Sequence, residues 1–297
     1  MSQAAPVAFS ARLRSAPGLA PQAIGRAATL ALHDELALSP KPGLVTPTDT
    51  GSHTDMDAHT FMRSLFALRS CFVRIAGLGA EDAPFDALER CGIDAETRML
   101  AATGGVNTHR GSIFMLGLLC AAAGAVAAQG RRPTPALLRS TLLARWGEAL
   151  AARATRTPTL PGGLAARRYS LRSASAEAAL GFPVLFETAV PAMQSAGARG
   201  LGRQHVLLDT FFSIMAVLDD TNLAHRGGLE GLHHAQRAAR AFLDAGGASQ
   251  PCGVTAAGEI GDDFVRRRLS PGGAADTLAA ACWMQRLGLL EPASSAP

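Results

Sequence analysis

An almost uninterrupted apolar segment, residues 112–128, constrains the fold of this chain more than any other feature. Gly104 and Gly105 stand upstream of it and are followed by Asn107 and Thr108, a pattern typical of a turn, a cap and a helix start. Small residues recur on one face of the segment at i, i+4, i+7 and i+11, so another helix can approach closely there. They are Gly117, Ala121, Gly124 and Ala128. The segment therefore predicts a buried central helix.

Composition indicates an all-α fold. Residues that favour strands are scarce, with 12 Phe, 2 Trp and 1 Tyr in 297 residues, whereas Ala and Leu dominate. The length allows one large domain or two small ones, and we expect one multi-helix catalytic domain over residues 21–290. Residues 1–20 and 291–297 are predicted to be tails, the first of them disordered.

Charge and cysteine content limit the function classes. The formal net charge is +4, but arginine is spread along the chain without a basic run, which argues against nucleic acid as a partner. No segment combines the length and apolarity of a membrane span, so no membrane partner is expected. The five cysteines are far apart and mostly lie in apolar segments, which favours reduced core residues and a cytoplasmic location.

Acidic residues head the apolar stripes of several predicted helices. Glu35 shares a stripe with Ile24 and Ala28, and Asp57 lies one turn before Phe61 on the same face. Asp276 heads the stripe of the last helix, and Asp219 or Asp220 ends another apolar helix. For Asp55 and Asp57 the alternative is helix N-capping, and His59 is predicted to face solvent.

The segment 154–176 shows no helical periodicity and carries Arg156, Arg167, Arg168 and Arg172. We expect a long basic loop that acts as a lid, with disorder as the alternative, since long loops inside a domain are usually functional or disordered.

The inward carboxylates need cations or hydrogen-bond donors, because burying bare carboxylates costs several kcal/mol each. Arginine alone could be the structural partner. Binding of Mg²⁺ with Asn107, Asn222 and water fits equally well, since oxygen ligands of this kind suit hard cations. Together with glycine-rich turns, Lys41, Arg110 and Arg226, this inventory is typical of a polyphosphate site.

The chain resembles the triphosphoribosyl-dephospho-CoA synthases, which make the prosthetic-group precursor of citrate lyase and malonate decarboxylase. The resemblance covers about residues 25–290. It rests on Ser39-Pro40-Lys41-Pro42-Gly43-Leu44-Val45, Gly51-Ser52-His53 with Asp55-Met56-Asp57, Gly105-Val106-Asn107-Thr108-His109-Arg110-Gly111, Gly181-Phe182-Pro183, Asp220-Thr221-Asn222 with Arg226-Gly227-Gly228, and Ser270-Pro271-Gly272-Gly273 with Asp276. Arg110 stands where a lysine is usual, which keeps the charge but changes the donor geometry. The 165–175 segment lacks the glycine-rich sequence that the family resemblance leads us to expect before Glu177.

The resemblance implies transfer of the triphosphoribosyl group of ATP to the 2′-hydroxyl of 3′-dephospho-CoA, with release of adenine. The downstream partners would be a phosphoribosyl-dephospho-CoA transferase and an acyl-carrier subunit, with malonate decarboxylase favoured over citrate lyase. We expect Glu35, Asp57, Asp219, Asp220 and Asp276 to be the catalytic acids, without individual roles. Residues expected to bind Mg²⁺-ATP are Lys41, Ser52, His53, Gly105, Asn107, His109, Arg110, Asn222, Arg226, Gly227, Ser270 and Gly272. Glu35, Asp55, Asp57, Asp220 and Asp276 are the candidate metal ligands.

The residues themselves leave two alternative functions open. His53, Asp55, Asp57 and His109 could be the ligands of an all-helical, metal-dependent phosphohydrolase. If the carboxylates were exposed caps, a non-catalytic nucleotide-binding protein would be favoured.

Overall fold

The computed structural model describes residues 19–290, and this range is all-α, as predicted, without a β-strand. The helices are α1 Pro21–Ala37, α2 Ala58–Ala80, α3 Phe85–Thr103, α4 Arg110–Ala128, α5 Pro135–Ala154, α6 Pro161–Tyr169, α7 Ala174–Ala179, α8 Val190–Ala198, α9 Arg203–Val217, α10 Thr221–Asp244, α11 Gly253–Arg267 and α12 Gly272–Arg286. A π-helical turn, Leu185–Ala189, precedes α8, and a 3₁₀ turn, Gly247–Ser249, precedes α11. The predicted C-terminal tail and residues 1–18 of the predicted N-terminal tail lie outside the described residues.

Helix α4 is the central helix, as its small-residue face predicts. It packs against α1, α2, α3, α5 and α12. A Cβ on Gly124 would collide with the backbone oxygen of Ala76, and a Cβ on Gly79 would collide with that of Ala121. The α2 and α4 backbones therefore meet through two glycines. Helix α4 is long and apolar enough to cross a membrane by length and composition alone, but 72% of its most apolar window is buried, as in a core helix.

The break between α9 and α10 decides where the acids after Leu218 lie. Helix α9 ends at Val217, and α10 starts at Thr221 with Asp220 as its N-cap. Ser and Asp at such positions satisfy the free N–H groups of a new helix. Asp219 and Asp220 therefore point to different neighbours.

The prediction of a loop over residues 154–176 is wrong. Helix α6 begins with Pro161 in its first turn and ends where Ser170 adopts a left-handed conformation, and α7 begins after the cap Ser173. Helix α6 buries only Ala165 and Ala166 and packs against α10. Two alanines leave no apolar periodicity to detect, which explains why the sequence pattern failed there.

The cysteines match the prediction of reduced core residues in four cases. All five are free, and four of them are buried. Cys252 is the exception, because it is exposed at the start of α11.

Candidate active site

Asp220 joins the N-terminal ends of α10 and α12. Its Oδ1 accepts the backbone N–H groups of Asn222 at 2.9 Å and Leu223 at 3.3 Å, and its Oδ2 accepts that of Ala274 at 3.0 Å. The side chain is buried, and burial raises its pKa to about 6 even though these N–H groups stabilise the anion. Asp220 therefore holds two helix ends in one place, and both of its oxygens are occupied.

Asp276 joins α12 to the first turn of α4. Its Oδ1 accepts a short hydrogen bond from the Ser112 hydroxyl, and its carboxylate also accepts the Ser112 backbone N–H. Gly111 makes room for this contact, since a Cβ there would collide with Oδ2. Burial raises the pKa of Asp276 to about 7, with smaller contributions from the negative charges of Glu35 and Asp220. The carboxyl group can therefore exchange a proton near neutral pH.

Lys41 and Glu35 form a buried ion pair beside these acids. The Lys41 ammonium donates to the Glu35 carboxylate and, at 2.8 Å, to the Glu35 backbone oxygen at the end of α1. Glu35 is buried, as its phase in α1 predicts, and Lys41 is its partner. Burial lowers the pKa of Lys41, while Glu35 opposes that shift. The pair supplies one cation and one anion to the site.

His109 is the N-cap residue of α4 and is buried as a neutral imidazole. Its Nδ1 lies 2.7 Å from the Ser64 hydroxyl, and its ring meets Phe61 edge-on. Burial, and then the charge of Lys41, lowers the pKa of His109 to about 3. Its Nε2 is buried without a protein partner. A buried ring nitrogen of this kind is free to hydrogen-bond a ligand.

A polar cluster of Ser52, His53, Arg226 and Ser270 ties the loop before α2 to the loop before α12. The Ser52 hydroxyl donates to the Leu269 backbone oxygen at 2.6 Å, and Arg226 donates to the Ser52 oxygen at 3.0 Å. Arg226 also lies 3.2 Å from His53 Nδ1, which must accept because a guanidinium only donates. His53 Nε2 therefore donates to Ser270 at 2.9 Å. Burial, followed by Arg226, lowers the pKa of His53.

Three predicted acids lie apart from this centre. Asp57 is exposed and is the N-cap of α2, where its Oδ1 accepts the Thr60 N–H and hydroxyl, contacts that lower its pKa. The prediction that Asp57 faces inward is therefore wrong, and its capping alternative is confirmed. Asp55 is exposed, with Oδ1 3.7 Å from His53 Nδ1. Asp219 accepts the Arg172 backbone N–H at 3.1 Å.

The remaining predicted residues surround the helix starts. Gly105 has a φ of +90° in the turn before α4, where Asn107 Oδ1 accepts the Arg110 N–H at 3.1 Å. The Arg110 guanidinium turns toward α3 and contacts Glu96 at 2.6 Å. At the other helix starts, a Cβ on Gly272 would lie 2.7 Å from Asn222 Nδ2, and one on Gly227 would lie 2.5 Å from Leu269 Cδ2. Both glycines therefore permit close packing.

The sequence prediction missed Ser64 and Ser112, which contact His109 and Asp276. Serine is common on helices, and neither position breaks the local pattern. Their phase offered a signal, because each is a buried polar residue inside an otherwise apolar face.

The predicted metal ligands do not converge. Within residues 19–290 no group of three His, Cys, Asp or Glu side chains is arranged to hold a metal ion. The ligand set of the phosphohydrolase alternative is likewise not assembled, since Asp57 caps α2 and His109 contacts Ser64. What the site does assemble is two buried carboxyl groups with raised pKa values, Asp220 and Asp276, an imidazole nitrogen of His109 without a protein partner, and nearby cations. This set is suited to acid–base chemistry on an anionic ligand.

Comparison with known proteins agrees with this chemistry. A probable 2-(5''-triphosphoribosyl)-3'-dephosphocoenzyme-A synthase of Acinetobacter calcoaceticus is 37% identical over 260 residues, covering 88% of this chain and 89% of the relative. The relative of the same description in Azotobacter vinelandii is 40% identical over 272 residues, covering 90% and 91%. That of Stutzerimonas stutzeri is 38% identical over 286 residues, covering 94% and 96%. No solved structure matches the chain.

The family model described as ATP:dephospho-CoA triphosphoribosyl transferase matches residues 21–295, which include every residue of the site. The chain therefore belongs to the ATP:dephospho-CoA triphosphoribosyl transferase family and is a transferase.

Proposed function

We propose that the protein transfers the 5-triphosphoribosyl group of ATP to the 2′-hydroxyl of 3′-dephospho-CoA. The products are adenine and 2′-(5″-triphosphoribosyl)-3′-dephospho-CoA. Family membership supports the two substrates. The observation that carries the chemistry is Asp276, a carboxylate with a pKa of about 7 at the start of α4.

Asp276 is the proposed general base. In the transfer, the bond from C1′ of the ATP ribose to adenine breaks, and its electron pair leaves with adenine, which takes up a proton on release. A bond from the acceptor 2′-oxygen to C1′ forms. The acceptor hydroxyl proton passes to an oxygen of Asp276, and a carboxyl group with a pKa near the working pH is well suited to this step. By analogy with glycoside cleavage, positive charge develops on the sugar ring, which nearby carboxylates stabilise.

The triphosphate is proposed to bind through side chains rather than through free helix N–H groups. Asp220 occupies the N–H groups at the starts of α10 and α12, and Asp276 occupies that of Ser112 in α4. The donors left are His109 Nε2, which lacks a protein partner, and the exposed side chains of Asn107, Asn222 and Arg226. Asp220 is then a positioning residue that keeps the three helix starts together.

Mg²⁺ is proposed to enter with ATP. Both side-chain oxygens of Asp220 and the Oε1 atom of Glu35 are engaged, so the site offers few free carboxylate oxygens. This fits the usual binding of Mg²⁺ through one or two carboxylates plus substrate phosphates rather than an all-protein cage. When bound, the ion would neutralise charge on the triphosphate oxygens.

The product belongs upstream of a transferase that loads the prosthetic group onto an acyl-carrier subunit, and we place this step in the cytoplasm, where ATP is available. We favour malonate decarboxylase over citrate lyase as the enzyme served. A reconstituted loading reaction with each carrier subunit distinguishes the two, and consumption of the product by neither would contradict the assignment.

The decisive test is to incubate the protein with Mg²⁺, ATP and dephospho-CoA and to separate the products chromatographically. We expect adenine and the new CoA derivative in equal amounts, with adenine release dependent on dephospho-CoA. Phosphate or pyrophosphate released without adenine would support a phosphohydrolase instead. Unchanged nucleotide after long incubation would support a non-catalytic nucleotide-binding protein.

A further inference from the structure

A cavity of about 110 Å³ lies beside the first two turns of α4, between α3, α5 and the start of α6. Its walls are mostly apolar and include Phe85, Leu88, Ile113 and Phe114. Gly92, on the α3 wall, leaves open space in the cavity, because a Cβ there would have no neighbour closer than 4.0 Å. Since one water needs roughly 10–15 Å³ measured in this way, the cavity has room for several ligand atoms.

Apolar side chains at the mouth of the cavity remain open to solvent. Ile93 is 58% exposed and Leu160 is 46% exposed. One exposed apolar residue is unremarkable, but two at the rim of an apolar cavity indicate a ligand-binding groove.

The charged side chains at the cavity include an unused donor. Of the lining residues, Arg153 pairs with Glu89 and Arg110 pairs with Glu96. Arg156, outside the lining, also pairs with Glu89, so at this end three arginines meet two glutamates. The Arg153 Nε–H is buried without a partner, and its guanidinium lies over Phe114. The cavity thus suits a ligand with an apolar body, a hydrogen-bond acceptor and a negative charge at one end.

The cavity borders the proposed active site along α4. Arg110, at its rim, lies between His109 and Gly111, the residues that contact Ser64 and make room for Asp276. Leu160 lies on the opposite wall, two residues before Gly162. A Cβ added at Gly162 would lie 2.9 Å from Oγ1 of Thr221, the residue after Asp220. From Arg110 the lining runs along α4 to Leu118, a rise of about 12 Å away from the site.

We infer that this cavity binds the pantetheine arm of the dephospho-CoA acceptor, an inference that rests on the proposed function. The arm is long, largely apolar and bears amide carbonyls that can accept from Arg153. It is joined to a pyrophosphate, which matches the cationic rim. The leaving adenine is bonded to the reacting carbon and must stay at the site, whereas the arm leads away from the acceptor ribose, as the cavity does.

The test fills the cavity through Gly92→Leu. Leucine favours the helix more than glycine does, so α3 should be retained. Gly258→Leu on α11 is the matched control, because a Cβ there also has no neighbour within 4 Å. We expect Gly92→Leu to raise the KM for dephospho-CoA about 10-fold or more while the KM for ATP changes less than about 2-fold. Gly258→Leu should leave both values unchanged.

A second measurement uses 4′-phosphopantetheine as an inhibitor of the wild-type protein. Inhibition should be competitive with dephospho-CoA, not with ATP, and should weaken in both Gly92→Leu and Arg153→Lys, the latter because lysine lacks the Nε–H donor. An unchanged KM for dephospho-CoA in Gly92→Leu, or a rise confined to ATP, would overturn the inference while the wild-type reaction stands. If the wild-type protein forms no product, the proposed function fails and takes the inference with it.

Discussion

Gly111 and Asp276 lie so close together that position 111 has no room for a side chain larger than hydrogen. A Cβ on Gly111 would occupy the position of Asp276 Oδ2, and the same carboxylate accepts from Ser112 in the next position of α4. Helix α12 therefore delivers its acid to the start of α4 through a gap that only glycine leaves. This contact connects the packing of the two helices to the reaction proposed here.

Gly111→Ala should reduce turnover sharply without unfolding the protein. The new methyl group would displace the Asp276 carboxylate by about an ångström, and a misplacement of that size can cost on the order of 10²-fold in rate. Gly258→Ala is the control, because its Cβ would meet nothing within 4 Å. The check is kcat with matched circular dichroism. Near-wild-type kcat in Gly111→Ala would mean that the position of Asp276 does not matter.

Asp276→Asn should lower kcat by roughly 10²–10⁴-fold, because an amide keeps the shape but cannot accept the hydroxyl proton. The wild-type protein should show kcat/KM rising with pH through about 7, where Asp276 becomes ionised. The variant should lose that limb of the profile. A pH–rate profile from pH 5 to 9 tests both points, and retention of the limb by the variant would assign the base to another group.

The same substitution should change how stability depends on pH. The pKa of Asp276 is raised from 3.8 to about 7 in the fold, so the native state holds the proton more tightly than the unfolded state. Its contribution is full below about pH 4 and is lost as the pH rises to about 7, by up to about 4 kcal/mol. Relative to Asp276→Asn, the wild-type free energy of unfolding should thus decline over this range. Denaturant titrations at several pH values measure it, and parallel curves would contradict the burial argument.

Asp57 should behave as a helix cap. Asp57→Asn should leave the free energy of unfolding nearly unchanged, since Asn caps as well as Asp, whereas Asp57→Ala should lower it, because alanine cannot accept the Thr60 N–H. Turnover of the folded Asn variant should stay within a few-fold of wild type. His59→Ala, at an exposed neighbour, is the matched control for activity. A severe loss of kcat in Asp57→Asn with normal stability would restore its predicted catalytic role.

Periodic patterns predicted a helix where large apolar residues recurred at helical spacing. They also did so where small residues recurred at that spacing. The 112–128 segment indicated the central helix, α4. The same approach failed at α6, where the buried residues are Ala165 and Ala166 and the helix is held mainly by its contact with α10. Such a helix is stabilised by tertiary packing, which leaves no periodic pattern in the local sequence.

Phase within a helix predicted the inward direction of Glu35, which pairs with Lys41 only six residues later in the chain. It failed for Asp57, because a residue at a helix start has extended backbone geometry and its side chain turns back onto the N–H groups. The contacts of Asp276 with Ser112 and of Asp220 with Ala274 join distant segments. Their partners follow from helix packing and from the break before Thr221, which a one-dimensional pattern does not contain.

Helix α6 replaces part of the loop expected over residues 154–176, and we still expect this segment to move as a lid. It buries only two alanines, and it touches α10 through Gly162 beside Thr221 and through Tyr169, whose hydroxyl would lie 3.4 Å from a Cβ on Gly228. Arg167 and Arg168 of this helix are exposed, and we expect them to contact phosphate oxygens when the helix closes. Glycosyl transfer requires that water be excluded, whereas ATP and a CoA-sized acceptor must enter, so a weakly held helix over the α10 start suits both needs.

Replacement of Arg167 and Arg168 by Ala should raise the KM for ATP and also the ratio of adenine released to CoA product formed, because a poorly closed site admits water. The double change Arg131→Ala with Arg132→Ala is the matched control, since these exposed arginines follow the opposite end of α4. Product ratios come from chromatography, and protease protection of residues 154–176 by ATP reports closure. A rise in KM with the wild-type ratio would show that the two arginines bind ATP without closing the site, and no change in either quantity would leave α6 as a fixed wall.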